Sequence, residues 1–476
     1  MTRSQSLSST ALAHTLPNAV DPTKLRLQLE YLPVSSLKPY ARHARVHSEK
    51  KKAILSANIK EQGIINPLLI DEDGVIVDGV ARWEIAQELG IDPVPVIVLP
   101  HLSRQQIRRV RLTVNRLAEL AEWDMQTLAF ELRDIISIEP ESMPMLGWEP
   151  PQIDFTISQL NPTPEDDPAD AVDWKPAEPV SRSGDLWRLD HHRMLCASSL
   201  EPESWVRLMG GKTAGMAFVD GPYNVKIAGN VSGTGKHAEF AMASGEMTGM
   251  EFLHFNTTWL AQVKAHVRDG AIIFACIDWR HDSELQTAGR NVGLDLLNIC
   301  VWDKQVGGQG SLWRSQYELV LVFKTGKARH TNNIMLGKHG RNRSNIWSYP
   351  GANSFGSARE ELDSHPTPKP VQLVADAILD VSQRGEIVLD AFLGSGTTIL
   401  AAERTGRVGY GIEIEPGYID VGIQRWQKMT NRKAMLDATG ETFAEVKARR
   451  ATEAQIIQPA AYAHINPRPR RQPLAA

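Results

Sequence analysis

Twice in this chain an apolar, strand-like run delivers an aspartate into a short turn, and few folds accommodate both. Glu386-Ile387-Val388-Leu389 leads into Asp390-Ala391-Phe392-Leu393-Gly394-Ser395-Gly396-Thr397-Thr398 and on into a helical pattern through Glu403. Thr213 to Val219 leads into Asp220-Gly221-Pro222-Tyr223-Asn224. In open α/β sheets, ligands gather at the carboxyl ends of the strands, where helix N-termini present free N–H groups. Gly394 and Gly396 let the backbone approach a ligand without a Cβ in the way. The surrounding pattern agrees. Strands are expected at 214–220, 270–277, 296–303, 317–324, 386–390 and 408–414, and helices at 250–268, 281–292, 369–384, 397–405 and 416–430. This alternation predicts an α/β fold with a mostly parallel sheet covered on both faces. The close spacing of 296–303 and 317–324 predicts one antiparallel hairpin within it.

At 476 residues more than one domain is expected. A net charge of −4 means that any surface for a polyanion is local rather than global. No stretch approaches the roughly 18 uninterrupted apolar residues of a membrane span, and the amino-terminal residues lack the apolar core of a signal peptide. Residues 1–27 read as a disordered leader, and a cytoplasmic setting without membrane contact is expected. Cys196, Cys276 and Cys300 lack metal-binding spacing, so no metal is expected, and all three read as core residues. None follows a proline. A Walker phosphate loop is absent, because Val206 stands where the leading glycine before Gly211-Lys212-Thr213 belongs.

The stretch Asp390 to Thr398 resembles the motif D-P-F-x-G-x-G-T-T of amino-group DNA methyltransferases, departing at Ala391. Asp220 to Tyr223 resembles their D-P-P-Y, departing at Gly221. His365-Pro366-Thr367-Pro368-Lys369-Pro370 resembles the segment that packs on the cofactor in that family. With the base motif ahead of the cofactor motif, the order is that of the permuted, beta-type members. The resemblance implies a Rossmann-like domain that takes a methyl group from S-adenosylmethionine. Asp390, Phe392, Gly394, Gly396, Thr397 and Glu413 would line the cofactor, with Thr367 and Lys369 nearby. Asp220 and the Gly221 carbonyl would accept the two amino protons of a flipped base, while Pro222 stiffens the loop and Tyr223 stacks on the base. Aspartate at the first position is similar to the adenine-directed members; N4-cytosine stays open as the alternative.

Between Lys324 and Ala358 there is no Asp or Glu, while Lys338, Arg341 and Arg343 are joined by Trp347, Tyr349 and Phe355. Residues 325–360 are therefore the expected target-recognition region on double-stranded DNA, with Lys304 and Arg314 as further DNA contacts. Upstream, Gly63 to Leu68 and Asp78-Gly79-Val80-Ala81-Arg82-Trp83 resemble the ParB/sulfiredoxin superfamily over residues 28–100. Sulfiredoxin chemistry is excluded because no cysteine precedes Cys196, and Ala81 replaces the first arginine of the partition proteins' phosphate motif. The expected layout is a small α/β ParB-like domain at 28–100, a helical extension at 101–160 and a Pro/Asp-rich linker at 161–183. A methyltransferase domain at 184–431 and a C-terminal tail at 432–476 follow. The family admits a homodimer. A ParB-type DNA-binding protein with a vestigial methyltransferase half, or an RNA methyltransferase, are the competing readings.

Overall fold

The computed structural model describes residues 25–41, 48–160, 167–170, 178–225, 243, 245–307, 312–338, 341–351 and 369–462. The chain divides into two compact units, residues 1–149 and 150–476.

The first unit holds β1 (Leu29–Leu32), α1 (Glu49–Gln62), β2 (Leu68–Ile70), β3 (Ile76–Asp78), α2 (Val80–Leu89), β4 (Val94–Val98), α3 (Arg104–Leu120) and α4 (Met125–Ile138). Its sheet order is β1-β4-β2-β3, with β2 and β4 parallel. Local chemistry starts each helix. Ser48 caps α1, Ser103 and Gln106 form a capping box on α3, and Asp124 caps α4. Gly79 opens α2 at φ 102°, a conformation that favours glycine.

The second unit begins earlier than the composition predicts. Its first helix, α5 (Pro150–Ser158), buries Ile153, and Asp154 pairs with Arg384 at 2.7 Å and with the fully buried Arg407 at 2.8 Å. A buried guanidinium requires such a counter-charge, and the helical pattern expected over 101–160 does not reveal it. There follow β5 (Leu186–Leu189), β6 (His192–Cys196), α6 (Pro202–Met209), β7 (Ala214–Val219), α7 (Gly249–His266), β8 (Val267–Ile277), α8 (Asp282–Asn291), β9 (Leu294–Asp303), β10 (Tyr317–Thr325) and β11 (Ile346–Ser348). Then come α9 (Val371–Val381), β12 (Ile387–Asp390), α10 (Thr397–Thr405), β13 (Val408–Glu413), α11 (Pro416–Thr430), β14 (Met435–Leu436) and α12 (Phe443–Tyr462).

Ten strands form one sheet, ordered β11-β9-β10-β8-β7-β12-β13-β6-β5-β14. The run β8-β7-β12-β13-β6 is parallel, and β10 lies antiparallel between β9 and β8. Both faces are covered: Met216, Phe218 and Val388 enter one core, and Ala217, Val219 and Leu389 the other. That two-sided burial is why these strands read as unbroken apolar runs.

The expected C-terminal tail is instead part of the fold. β14 pairs with β5, and α12 buries Phe443 against Trp187 at 5.4 Å between ring centroids. The strand is short and the apolar residues of α12 follow no helical period, so local periodicity is too weak to announce them. The linker also docks in part: Val180 N–H and Ser181 N–H donate to Asp420.

Candidate active site

The parallel strands end together at Val219, Ile277, Asp390, Glu413 and Cys196, and along this edge two loops meet. They touch at Gly221, where a Cβ would lie 3.1 Å from the Phe392 ring. A proline there would have to displace that ring, which is wedged between Phe255 and Trp259. This accounts for glycine in place of the family's proline.

Asp220 leaves β7 into a closed ionic ring. Lys369 donates to its Oδ2 at 2.7 Å, and the Tyr223 hydroxyl donates to its Oδ1 at 2.6 Å. Lys369 also donates to Glu318 Oε2 at 2.8 Å and to the Tyr223 oxygen at 2.9 Å, while Lys304 pairs with Glu318 Oε1 at 2.6 Å. Burial opposes the Lys369 charge, but Asp220 and Glu318 outweigh it and raise its pKa. Burial likewise pushes the Glu318 carboxyl up, yet Lys369 and Lys304 pull it down to about 2. Burial, with the two carboxylates, holds the Tyr223 phenol well above its ordinary range, so it stays a neutral donor. Asn224 anchors the loop, accepting from Gly245 N–H and Met247 N–H.

The cofactor loop is built differently. Asp390 accepts from Phe392 N–H at 3.0 Å and Thr398 Oγ1 at 2.6 Å, and Glu413 accepts from Gly394 N–H at 2.8 Å and Glu415 N–H at 2.9 Å. No cation pairs with either carboxylate among the described contacts. Burial pushes Asp390 up to about 7, moderated by the Thr398 and Phe392 hydrogen bonds, and it also raises Glu413. Gly394 and Gly396 have φ of 53° and 85°, and a Cβ on Gly396 would meet Gly422 Cα at 2.9 Å. Arg425 braces the loop from behind, donating to Ser395 O at 2.7 Å, to Thr397 Oγ1 at 3.3 Å and to Ala169 O at 2.7 Å.

Several expectations change. The Lys369 ammonium is engaged by Asp220 and by the buried Glu318, which requires a counter-ion there. The Asp390 carboxylate accepts from Thr398 and Phe392 within its own loop. Tyr223 directs its hydroxyl into the ionic ring, with Lys369 5.4 Å from its ring centroid. Thr367 and Phe355 lie outside the described residues. Arg341 and Arg343 are held in ion pairs within the protein. Arg341 pairs with Asp380 at 2.7 Å and Asp376 at 3.2 Å, and Arg343 with Asp380 at 2.8 Å, on the side of α9. Lys338 is exposed but sits towards the far edge of the sheet. There β10 ends, the Ala328 and Arg329 carbonyls crowd Gly270 at the start of β8, and Asn333 bonds the last turn of α9. Lys304 is engaged by Glu318. Arg314 is exposed, with its stem against Gly307. Glu318 and Arg425 escaped the sequence reading; an acid inside an apolar strand and an arginine inside an amphipathic helix were the available signals.

In the first unit, Arg82 is tied to Asp78 at 2.9 Å, and Ala81 is buried, so an arginine side chain would not fit there. Among the described residues no helix is long and apolar enough to cross a membrane, and no group of three or more ligand side chains is placed to hold a metal ion.

Residues 215–424 match the family described as DNA methylase, of the N6/N4 type, and residues 20–116 match the ParB N-terminal domain. The ParB-like nuclease domain-containing protein YnaK of Escherichia coli strain K12 is 45% identical over 84 residues, 18% of this chain and 97% of that protein. Type II methyltransferase M2.MboI of Moraxella bovis is 29% identical over 187 residues, 37% of this chain and 66% of that protein. Among solved structures, the cytosine-N4-specific PvuII DNA methyltransferase aligns at a TM-score of 0.39 and 15% identity, covering 54% of this chain and 94% of that one. Residues 215–424 form an N6/N4 DNA methylase domain and residues 20–116 a ParB N-terminal domain. It is a DNA methyltransferase whose methyl donor is S-adenosylmethionine. The residues present fit that donor: two buried carboxylates without a cationic partner, beside a glycine cradle, suit a ligand that carries positive charge and hydroxyl groups.

Proposed function

We propose that the chain methylates the exocyclic N6 of adenine at a specific site in duplex DNA, acting on a nucleotide turned out of the stack. The observation that carries this reading is Asp220, held from behind by Lys369 and Tyr223 and joined to the cofactor loop through the Gly221–Phe392 contact. Bound S-adenosylmethionine supplies an electrophilic methyl group on a sulfonium.

The chain's own residues do the rest. An amino group conjugated to a purine ring is a poor nucleophile. Asp220 and the Gly221 carbonyl accept its two protons, so that its lone pair turns out of the ring plane. Lys369 and Tyr223 bond one lone pair on each Asp220 oxygen and leave others for the amine. Asp220 is placed to take up the surplus proton of the methylated amine. Phe392, Gly394, Gly396, Thr397 and Glu413 form the cofactor side. Aspartate at the head of the base loop favours adenine over cytosine. The ParB-like unit is read as a DNA-binding or specificity accessory.

Long-read modification sequencing of plasmid from an expressing host, with Asp220→Ala as control, tests this. A methylated-adenine motif that disappears in the variant is expected. A methylated-cytosine motif would keep the chemistry and overturn the base. Absence of any motif would overturn the reading and leave DNA binding as the function.

A further inference from the structure

We infer that the connection from β9 to β10 carries a wedge, Leu312 and Trp313, that enters the DNA stack and fills the space left by the flipped target nucleotide. The inference rests on the methyltransferase reading above and assigns its DNA-engaging element.

Topology puts this connection beside the reacting aspartate. β9 is parallel to β8, so Asp303 ends at the edge where Val219 hands over to Asp220, and Tyr317 starts β10 at that same edge. The base of the connection is welded to the ionic ring. Lys304 pairs with Glu318 at 2.6 Å, and Glu318 reaches Tyr223 at 3.0 Å and Lys369 at 2.8 Å. Asp303 receives Gln316 at 2.9 Å and Ser348 at 3.3 Å, and Lys304 N–H donates to Gln316 O at 2.9 Å.

On this braced stem, Leu312 and Trp313 are each 82% exposed. Two large apolar side chains standing in solvent next to an active site are costly unless they are covered when the protein works. Trp279, half-exposed, follows β8 on the same edge with the Arg280 guanidinium 4.8 Å from its ring. The occupant is DNA because Asp220, the residue proposed to hold the target base, lies at this edge. Cofactor residues lie on the β12–β13 side of β7, and these aromatics lie on the β8–β10 side, where the duplex must approach for its base to reach Asp220. Flipping a paired base costs a few kcal/mol, and apolar wedges between base steps are how proteins offset that loss. The basic stretch 324–338 cannot fill this role, since it lies towards the opposite edge.

The test uses the full chain and a duplex oligonucleotide carrying the mapped motif, with 2-aminopurine beside the target base. Wild type is expected to raise the fluorescence and to methylate matched and mismatched duplexes at similar rates. Trp313→Ala, alone and with Leu312→Ala, is expected to lose the fluorescence rise and about tenfold or more in kcat/KM on the matched duplex. It should recover on a duplex mismatched at the target base, where less stacking must be broken. Equal losses on both duplexes, or no loss on either, would overturn the wedge while leaving the methyltransferase intact. A wild-type chain that methylates no motif removes the underlying reading and the wedge with it.

Discussion

The two loops that meet at Gly221 solve the same problem, a buried carboxylate, in opposite ways. Around Asp220 each acid has a cation: Lys369 serves Asp220 and Glu318, and Lys304 serves Glu318. Around Asp390 and Glu413 only backbone N–H groups and a threonine hydroxyl are at hand. One loop is charge-balanced in itself, and the other is balanced only when a cationic ligand arrives. The contrast suits a reaction in which the acceptor must be ready beforehand and the donor comes and goes with each turnover.

The largest expected effect is at the acceptor. Asp220→Ala should lower methyl transfer to DNA by about 10³-fold, the scale of a lost proton-handling group, and also lower the melt, since the buried Lys369 then keeps only Glu318. A near-normal rate would remove Asp220 from the chemistry. Lys369→Met strips the ring of its shared cation and leaves Glu318 buried with only Lys304. A loss of about 3–5 kcal/mol in denaturant stability is expected from one broken buried pair, together with a rate that falls more steeply than wild type as pH is lowered. If the variant instead binds S-adenosylmethionine weakly and turns over normally, Lys369 belongs to the cofactor loop after all.

Gly221→Ala tests the contact between the loops. Its Cβ would press on Phe392 at 3.1 Å, for a cost of about 1–3 kcal/mol if the ring cannot give; both the melt and the KM for cofactor read it. The pH dependence of folding separates the loops further. Asp390 is raised in the fold from 3.8 to about 7, so its share of stability is present below about pH 4 and lost as pH rises towards 7. Glu318 is lowered from 4.5 to about 2, so its share is present above about pH 4.5 and lost as pH falls towards 2. Melting curves from pH 4 to 8 should therefore slope less in Asp390→Asn than in wild type, and identical slopes would count against the uncompensated carboxyl. The smallest effect concerns phosphate contacts. Arg314→Gln should reduce the salt slope of DNA binding by about one ion, whereas Arg341→Gln should lower stability and leave that slope unchanged.

The parallel α/β core, the two loops and their order along the chain were legible from local pattern. An apolar run ending in Asp-Gly-Pro-Tyr or in a Gly-x-Gly turn carries its own strand, turn and ligand geometry, because those depend on backbone conformation within a few residues. Helices α10 and α11 begin and end at the residues expected from the sequence. Pairing across distance was not legible. Lys369 stands 149 positions from Asp220, and nothing near it in sequence says whether its charge meets a cofactor, a phosphate or a carboxylate. Arg341 and Arg343 read as a DNA patch for the same reason: their counter-ions, Asp376 and Asp380, arrive from the buried side of a helix that local composition treats separately. Charge partners are chosen by the desolvation of the packed state, so only the tertiary structure decided which cations hold this fold together.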